Sequence, residues 1–256
     1  MSHPELEKEE TLTSHLSELR TRLIRVALGI TVGTLACYSF SEKIFEAIRR
    51  PIAPYLPQGG LVFTGPADLF VAHLKLSLVC GVIVSCPYWL YQIWLFIAPG
   101  LYKHERKYAS AFIFSGSFLF VTGIAFCYFG VLPIAFEFLL NYGGGVDKPF
   151  IAIDQYLSFF TQMCLVFGAA FELPLIIVIL GMLGIVSQKF LREKRRFAIV
   201  ILAFFAAILT PPDVLSMSLM LVPLVVLYEI SVFIVGIFEN KRLESRDELV
   251  GVKNEE

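Results

Sequence analysis

The chain has 256 residues, of which 57% are hydrophobic and 17% are charged, and its mean hydropathy is +0.73. Soluble domains hold about 25% charged residues, so this composition indicates a protein embedded in a lipid bilayer and argues against a soluble enzyme. The net charge of −1 gives no reason to expect a nucleic-acid partner. The five cysteines and four histidines lack metal-ligand spacing, so we expect no metal and no other cofactor.

The amino-terminal segment is the first predicted element. Residues 1–14 are polar and acidic, the opposite of the basic start of a signal peptide, so we expect no cleavable leader. The stretch SHLSELRTRL, residues 14–23, places three leucines at helical spacing and predicts a short amphipathic helix that leads into the first span. Within it, Glu18 and Arg22 are four residues apart, and spacing alone favours an ordinary surface ion pair.

Six segments are apolar and long enough, or nearly so, to cross the roughly 30 Å hydrocarbon layer. The last two are separated by TPPDV at 210–214, where two prolines predict a turn and Asp213 is expected to cap the next helix. One long kinked helix is the alternative. The fifth segment is short, which implies local thinning of the bilayer or a partner that covers the mismatch. The predicted spans are 23–41, 70–97, 108–136, 155–186, 197–210 and 214–237.

The distribution of Lys and Arg predicts the orientation. With the N-terminus in the cytoplasm, sixteen of the 21 basic residues fall on the inside and four on the outside, and Lys75 lies in the second span. Cytoplasmic segments carry the excess of positive charge, so both termini are predicted to be cytoplasmic, with 239–256 as a charged, flexible tail of a single membrane domain. The outer loop at 42–69 contains four prolines but also apolar residues, so we expect it to pack against the bundle.

Acidic residues at unusual positions are the candidate functional groups. Glu172 lies in the middle of the fourth span, where an ionised carboxylate costs about 2.5–3.5 kcal/mol, so it should face a cavity, a partner or the protein interior. Pro174 is expected to kink the same helix. Glu229 in the last span and Lys75 in the second could also have functional roles. The alternative for both is that the side chain extends to the membrane–water interface. Glu105, in the inner loop PGLYKHERK, is by itself typical of a solvated loop charge.

The motifs that are missing exclude several classes. The sequence has no phosphate-binding G-x-x-x-x-G-K-[ST] loop, no H-E-x-x-H pair and no G-x-S-x-G elbow, so we expect neither an ATP-driven pump nor an intramembrane protease. A proton-coupled secondary transporter that uses Glu172 as its ion site stays an alternative. That class is typically built from paired discontinuous helices in two halves, a pattern that the sequence does not show.

Four motifs in order carry a resemblance to a known family. They are SHLSELRTRL, PYWLYQIWLFIAPGLYKHERK, FGAAFELP and LTPPDVLSMSLMLVPLVVLYEI, and they run from about residue 12 to 238. Together they resemble the TatC subunit of the twin-arginine protein translocase. The resemblance implies a curved, glove-like fold of six helices in the bacterial cytoplasmic (inner) membrane, without enzymatic chemistry. It also implies recognition of twin-arginine signal peptides on folded cargo, single-span TatB and TatA partners in an oligomeric complex, and export driven by the proton-motive force.

The resemblance also implies particular site residues. Glu18 and Glu105 match the two glutamates that form the family's arginine-pair site, Arg20 and Arg22 follow the first of them, and Phe96 matches the aromatic at the lip. A planar guanidinium meets a carboxylate through two parallel hydrogen bonds, which suits two adjacent arginines to two carboxylates.

A second set of residues is implied in the membrane. Glu172 and Asp213 match the family's acids in the fourth span and before the last, and with Glu229 they are expected to contact a partner or a polar group within the membrane. Many relatives have glutamine four residues after the aspartate, whereas this chain has Met217. A partner contact at the last hairpin would therefore lack that polar group here.

Overall fold

Most of the part of the chain that its structure, a computed structural model, describes is helical. The backbone is described for residues 4–56, 60–100, 109–141, 150–209 and 214–253, and side chains for positions 16–240 of these ranges apart from 100, 209 and 215. Within these ranges the only β pairing is an isolated parallel bridge between Val62 and Ala152. The predicted all-α fold class is confirmed.

The first span and the amphipathic segment before it form one helix. This helix, α1 (Pro4–Tyr38), has 35 residues and is therefore about 52 Å long. The second span is not straight, as α3 (Asp68–Val84) and α4 (Cys86–Ile97) meet at 55°. Pro87 lies in the first turn of α4, where its missing N–H and fixed φ favour a new helix start over continuation of α3. The single span predicted over 70–97 missed this bend.

The third and fourth spans also contain irregular turns. Helix α5 (Ala109–Phe126) passes through a π turn at Cys127–Val131 into α6 (Leu132–Asn141). In the fourth span, α7 (Ile153–Phe171) ends at Glu172 and α8 (Leu173–Met182) begins with Pro174 in its first turn. The kink predicted at Pro174 is a break between two helices, with Pro174 in the first turn of the second.

The last part of the chain contains two apolar helices rather than one kinked helix. The short α9 (Gln188–Glu193) precedes α10 (Arg195–Leu209), which packs against α11 (Val214–Lys253). Asp213, the predicted cap of the last helix, lies outside the described residues. Helix α11 continues beyond the predicted span end at 237, so the tail is helical as far as Lys253. The flexibility of this tail stays a prediction.

The number of spans follows in part from helix length. Helix α10 has 15 residues and a length of about 22 Å, less than the roughly 30 Å of the hydrocarbon layer. The six-span arrangement and the cytoplasmic termini therefore stay predictions. In the described part of the chain, the helices α3 and α4 form one bent candidate span, and four further segments are apolar and long enough to cross a membrane: Leu16–Tyr38, Ala109–Asn141, Ile153–Met182 and Ser216–Asn240.

Helix α7 lies at the centre of the core. It packs against α3 and α5, while α8 packs against α11. Its residues Leu157, Met163 and Phe167 are almost completely buried. Helix α1 approaches α3 closely because both have glycine at the crossing: a Cβ on Gly33 would lie 2.9 Å from the backbone oxygen of Gly81.

One end of the bundle is covered by the segment after α1. It comprises the nine-residue helix α2 (Ser41–Arg49) and the single 3₁₀ turn Ala53–Tyr55. Ile52 of this segment is 1% exposed, and the Tyr128 hydroxyl donates a hydrogen bond of 2.7 Å to the Ala47 carbonyl. The Tyr156 hydroxyl donates to the next carbonyl, that of Ile48. The expectation that this loop packs against the bundle is confirmed.

Tyr156→Phe tests how strongly this cover is held. We expect it to lower the free energy of unfolding by about 1–2 kcal/mol, because the buried Ile48 carbonyl loses its hydroxyl donor while the ring is kept. Thermal unfolding in detergent, followed by thiol labelling of the buried cysteines, measures the change. Tyr91→Phe is the matched control, since Tyr91 is exposed. Equal unfolding temperatures for the two variants would contradict the prediction.

Candidate functional site

The first candidate site lies where α1 crosses α4. Glu18 and Arg22 are one helical turn apart on α1, and Arg22 Nη2 donates to Glu18 Oε1 at 3.0 Å. Nη1 of the same guanidinium donates to Oε1 of Gln92, on α4, at 3.3 Å. Arg22 therefore links α1 to α4 through a residue 70 positions away in sequence. The surface ion pair expected from the sequence would have involved α1 alone.

Burial makes this contact stronger than an exposed pair. The side chain of Arg22 is 19% exposed and that of Glu18 is 34% exposed, whereas Gln92 is buried. Partial exclusion of water strengthens a charged hydrogen bond and raises the cost of an unmet donor. Arg22 Nε is one such donor, buried and without a hydrogen-bond partner among the described residues.

Gln92 is the site residue that sequence reasoning missed. The signal was present, because it is the amide side chain in the otherwise apolar and aromatic run YWLYQIWLFI. A buried amide in a span is expected to have a hydrogen-bond partner, and here the partner comes from another helix.

The structure brings some of the predicted site residues together. Phe96 lies one turn after Gln92 and is half-buried, so it shares the face of α4 that meets α1. Arg20 is exposed on α1. Glu105 lies outside the described residues, eight positions after the end of α4 in the chain.

The second candidate site is at Glu172, away from the first one along the chain. Glu172 is 7% exposed and occupies the break between α7 and α8. Neither carboxylate oxygen has a hydrogen-bond partner among the described residues. The side chain lies against α5, since a Cβ added to Gly116 would be 3.3 Å from Glu172 Oε2. An unpaired carboxyl group in this position is the kind of polar group that a partner helix can satisfy.

An apolar cavity adjoins this carboxyl group. It has a volume of about 250 Å³ and lies between α4, α5, α8 and α11. Its walls include Pro174 and Leu175 of α8 and Phe112 of α5. Leu175 also approaches Gly116, the residue that contacts Glu172, so the cavity and the carboxyl group share a wall.

Glu229 and Lys75, the other two charged residues singled out within predicted spans, have partners within the chain. Glu229 on α11 forms an ion pair of 2.7 Å with Arg195 on α10. Lys75 on α3 forms one of 2.5 Å with Asp154 on α7 and also donates to Ser158 at 3.2 Å. Glu229 thus differs from Glu172, which has no such counter-ion in the described part of the chain. A role for Glu229 in partner contact stays a prediction, as does that of Asp213, which the structure does not describe.

The fold defines a multi-pass helical membrane protein, and each of the two candidate sites places a carboxyl group between helices. Residues 14–223 match the family model described as Sec-independent protein translocase protein (TatC). The chain therefore belongs to the TatC family.

Similar proteins and structures cover most of the chain. It is 36% identical to the TatC protein of Desulforapulum autotrophicum, over 94% of this chain and 90% of that protein. It is 40% identical to the Escherichia coli K12 TatC protein, over 89% of each. Two crystal structures of the twin arginine translocase receptor TatC, one in the detergent DDM, match with TM-scores of 0.75 and 0.77 at 36% and 37% identity. Both matches cover 86% of this chain, and 97% and 98% of those chains.

These comparisons confirm the predicted family. The chain is a component of a protein translocase, a receptor-type membrane protein and not an enzyme. The alternative of a proton-coupled secondary transporter is not supported. A translocase component works in a complex with other subunits.

Proposed function

We propose that this chain is the subunit that recognises twin-arginine signal peptides, with Glu18 and Glu105 as the acceptors of the arginine pair. The observation that supports this best is that the carboxylate of Glu18 already binds a guanidinium, that of Arg22, in a partly buried setting. The position is therefore chemically suited to a second guanidinium. Membership of the TatC family and the receptor crystal structures that resemble the chain support the same role.

The chemistry favours arginine over lysine. A guanidinium has five donors in a planar fork, whereas an ammonium is a compact charge that makes no paired parallel bonds. Two carboxylates from separate segments, Glu18 on α1 and Glu105 after α4, suit two adjacent arginines. Phe96 offers an aromatic surface at the edge of the same site.

We further propose the topology and the partners that the resemblance implies. The chain has six spans with both termini in the cytoplasm, in the bacterial inner membrane, and it works with single-span subunits of the TatA and TatB type. The proton-motive force drives export of the folded cargo. Glu172 contacts a polar group of a partner helix, which is supported by its burial in the fourth span and by its two oxygens, neither of which has a hydrogen-bond partner among the described residues.

Peptide binding tests the proposed function. Two synthetic signal peptides that differ only in Arg-Arg or Lys-Lys are titrated against the purified, detergent-held chain. We expect the arginine peptide to bind at least about tenfold more tightly, because charge-assisted hydrogen bonds contribute about 1.5–3 kcal/mol each. Equal binding of both peptides, or binding of neither, would overturn the assignment.

A further inference from the structure

Arg22 already occupies the carboxylate that the proposed function assigns to an incoming arginine. We propose that Arg22 is an internal competitor for Glu18, which it binds in the absence of a signal peptide and releases when an arginine of the peptide takes its place. Arg22 is then a residue that sets the affinity of Glu18 for an incoming cation and not one that contacts the peptide. This inference rests on the proposed function of Glu18 as an arginine acceptor.

The way in which Arg22 is held suits exchange. Among the described residues its guanidinium makes one bond to Glu18, at 3.0 Å, and one to Gln92, at 3.3 Å, while Nε is buried without a partner. A guanidinium has five donors, so a permanent structural arginine in a buried position is expected to satisfy more of them. The contact to Glu18 uses only Oε1, not the two parallel bonds that a carboxylate can accept.

Gln92 can remain the hydrogen-bond acceptor of the Arg22 guanidinium after its release from Glu18. It is 4% exposed and lies on α4, so its position does not depend on Glu18. Its bond goes to Nη1, whereas Glu18 binds Nη2, so the two contacts can be broken separately. Gln92 is also neutral, so it holds Arg22 without the strong attraction of a second carboxylate.

Competition by Arg22 lowers the affinity of every cation that binds Glu18. A peptide arginine replaces the single Arg22 bond with two parallel bonds to Glu18 and gains by the exchange. A peptide lysine replaces one bond with one and gains no additional bond. Because both peptides break the same Arg22 contact, the internal arginine lowers both affinities by the same factor and leaves their ratio unchanged.

The first test removes the competitor. Arg22→Gln keeps a side chain with N–H donors but removes the charge. We expect the affinities for the Arg-Arg peptide and for the Lys-Lys peptide both to rise about tenfold, because neither peptide then has to break the Arg22 contact to Glu18. Arg25→Gln is the control, because it removes the same charge from an exposed position three residues further along α1. It should change the affinity for both peptides by the same small factor.

An unchanged or weaker affinity of Arg22→Gln for the Arg-Arg peptide would overturn the role of Arg22 and leave the proposed function standing. Failure of the unmodified chain to distinguish the two peptides would instead overturn the proposed function itself. Failure of the proposed role of Arg22 can therefore be distinguished from failure of the proposed function.

A second test uses the unmodified chain and does not depend on how a variant folds. Phenylglyoxal, an arginine-selective dicarbonyl, is added with and without saturating Arg-Arg peptide, and modification of Arg22 is measured by mass spectrometry. We expect the rate at Arg22 to rise severalfold with peptide, because release from Glu18 frees one of its terminal nitrogens, while Arg25 stays unchanged. An unchanged or slower rate at Arg22 would overturn the proposal.

Discussion

Glu18→Ala combined with Glu105→Ala should lower the affinity for a twin-arginine peptide by about a hundredfold or more, and each single change by about tenfold. Each carboxylate is expected to contribute charge-assisted hydrogen bonds of about 1.5–3 kcal/mol, and 1.4 kcal/mol corresponds to a factor of ten. The effect of the double change should exceed that of either single change, because the two carboxylates receive two separate guanidinium groups.

Titration of the labelled peptide against each purified variant measures these affinities. Glu18→Ala also leaves Arg22 with Gln92 as its remaining partner among the described residues, so Glu18→Gln, which keeps the size of the side chain, is included. Glu46→Ala is the control for net charge, since Glu46 is an exposed carboxylate on α2 at the other end of α1. Wild-type affinity in both single alanine variants would rule out these residues as the arginine acceptors.

Much of the architecture could be predicted because long apolar runs and helix-breaking residues are local signals. Pro174 marks the break between α7 and α8, and the Pro-Pro-Asp run marks the separation of α10 from α11. The bend between α3 and α4 was missed although Pro87 lies there. A proline in an apolar run is compatible with a kink or with a new helix, and tertiary packing decides between them.

The candidate site was predictable only to the extent that its residues were unusual by themselves. Glu172 was identified because a carboxylate in an apolar run is costly wherever it points. Gln92 was missed because its importance comes from Arg22 on another helix, and no local spacing reports a contact across 70 residues. The pairing of Glu229 with Arg195 could not be predicted for the same reason, because the two residues are 34 positions apart and lie on different helices.

The two candidate sites differ in how their carboxylates are satisfied. Glu18 has a guanidinium partner within the chain, so binding there is an exchange of one cation for another. Glu172 is more buried and has no partner in the described part of the chain. A polar group that binds there therefore adds a hydrogen bond without displacing an existing partner. We therefore expect changes at the two sites to separate signal-peptide binding from assembly with partner subunits.

Glu172→Leu should raise the stability of the isolated chain while it lowers recovery of the partner subunits. Removal of a buried carboxyl group that has no hydrogen-bond partner in the described part of the chain is expected to stabilise the chain by about 1–3 kcal/mol, because the cost of taking this group out of water disappears. Loss of the polar contact should reduce copurification of the single-span partners by about tenfold, if one hydrogen bond within the membrane contributes about 1–2 kcal/mol. Glu172→Gln should also weaken assembly, though less, since its amide still offers hydrogen bonds.

Thermal unfolding of the isolated chain and copurification of tagged partners, each with and without signal peptide, measure the two effects. Binding of the twin-arginine peptide should stay within about twofold of wild type, because Glu18 on α1 does not depend on Glu172. Glu137→Leu is the control, as Glu137 is an exposed carboxylate on α6 in the third span. Full recovery of the partners with Glu172→Leu would show that this carboxyl group is not their contact. Reduced stability of the same variant would instead indicate that the group is satisfied within the chain.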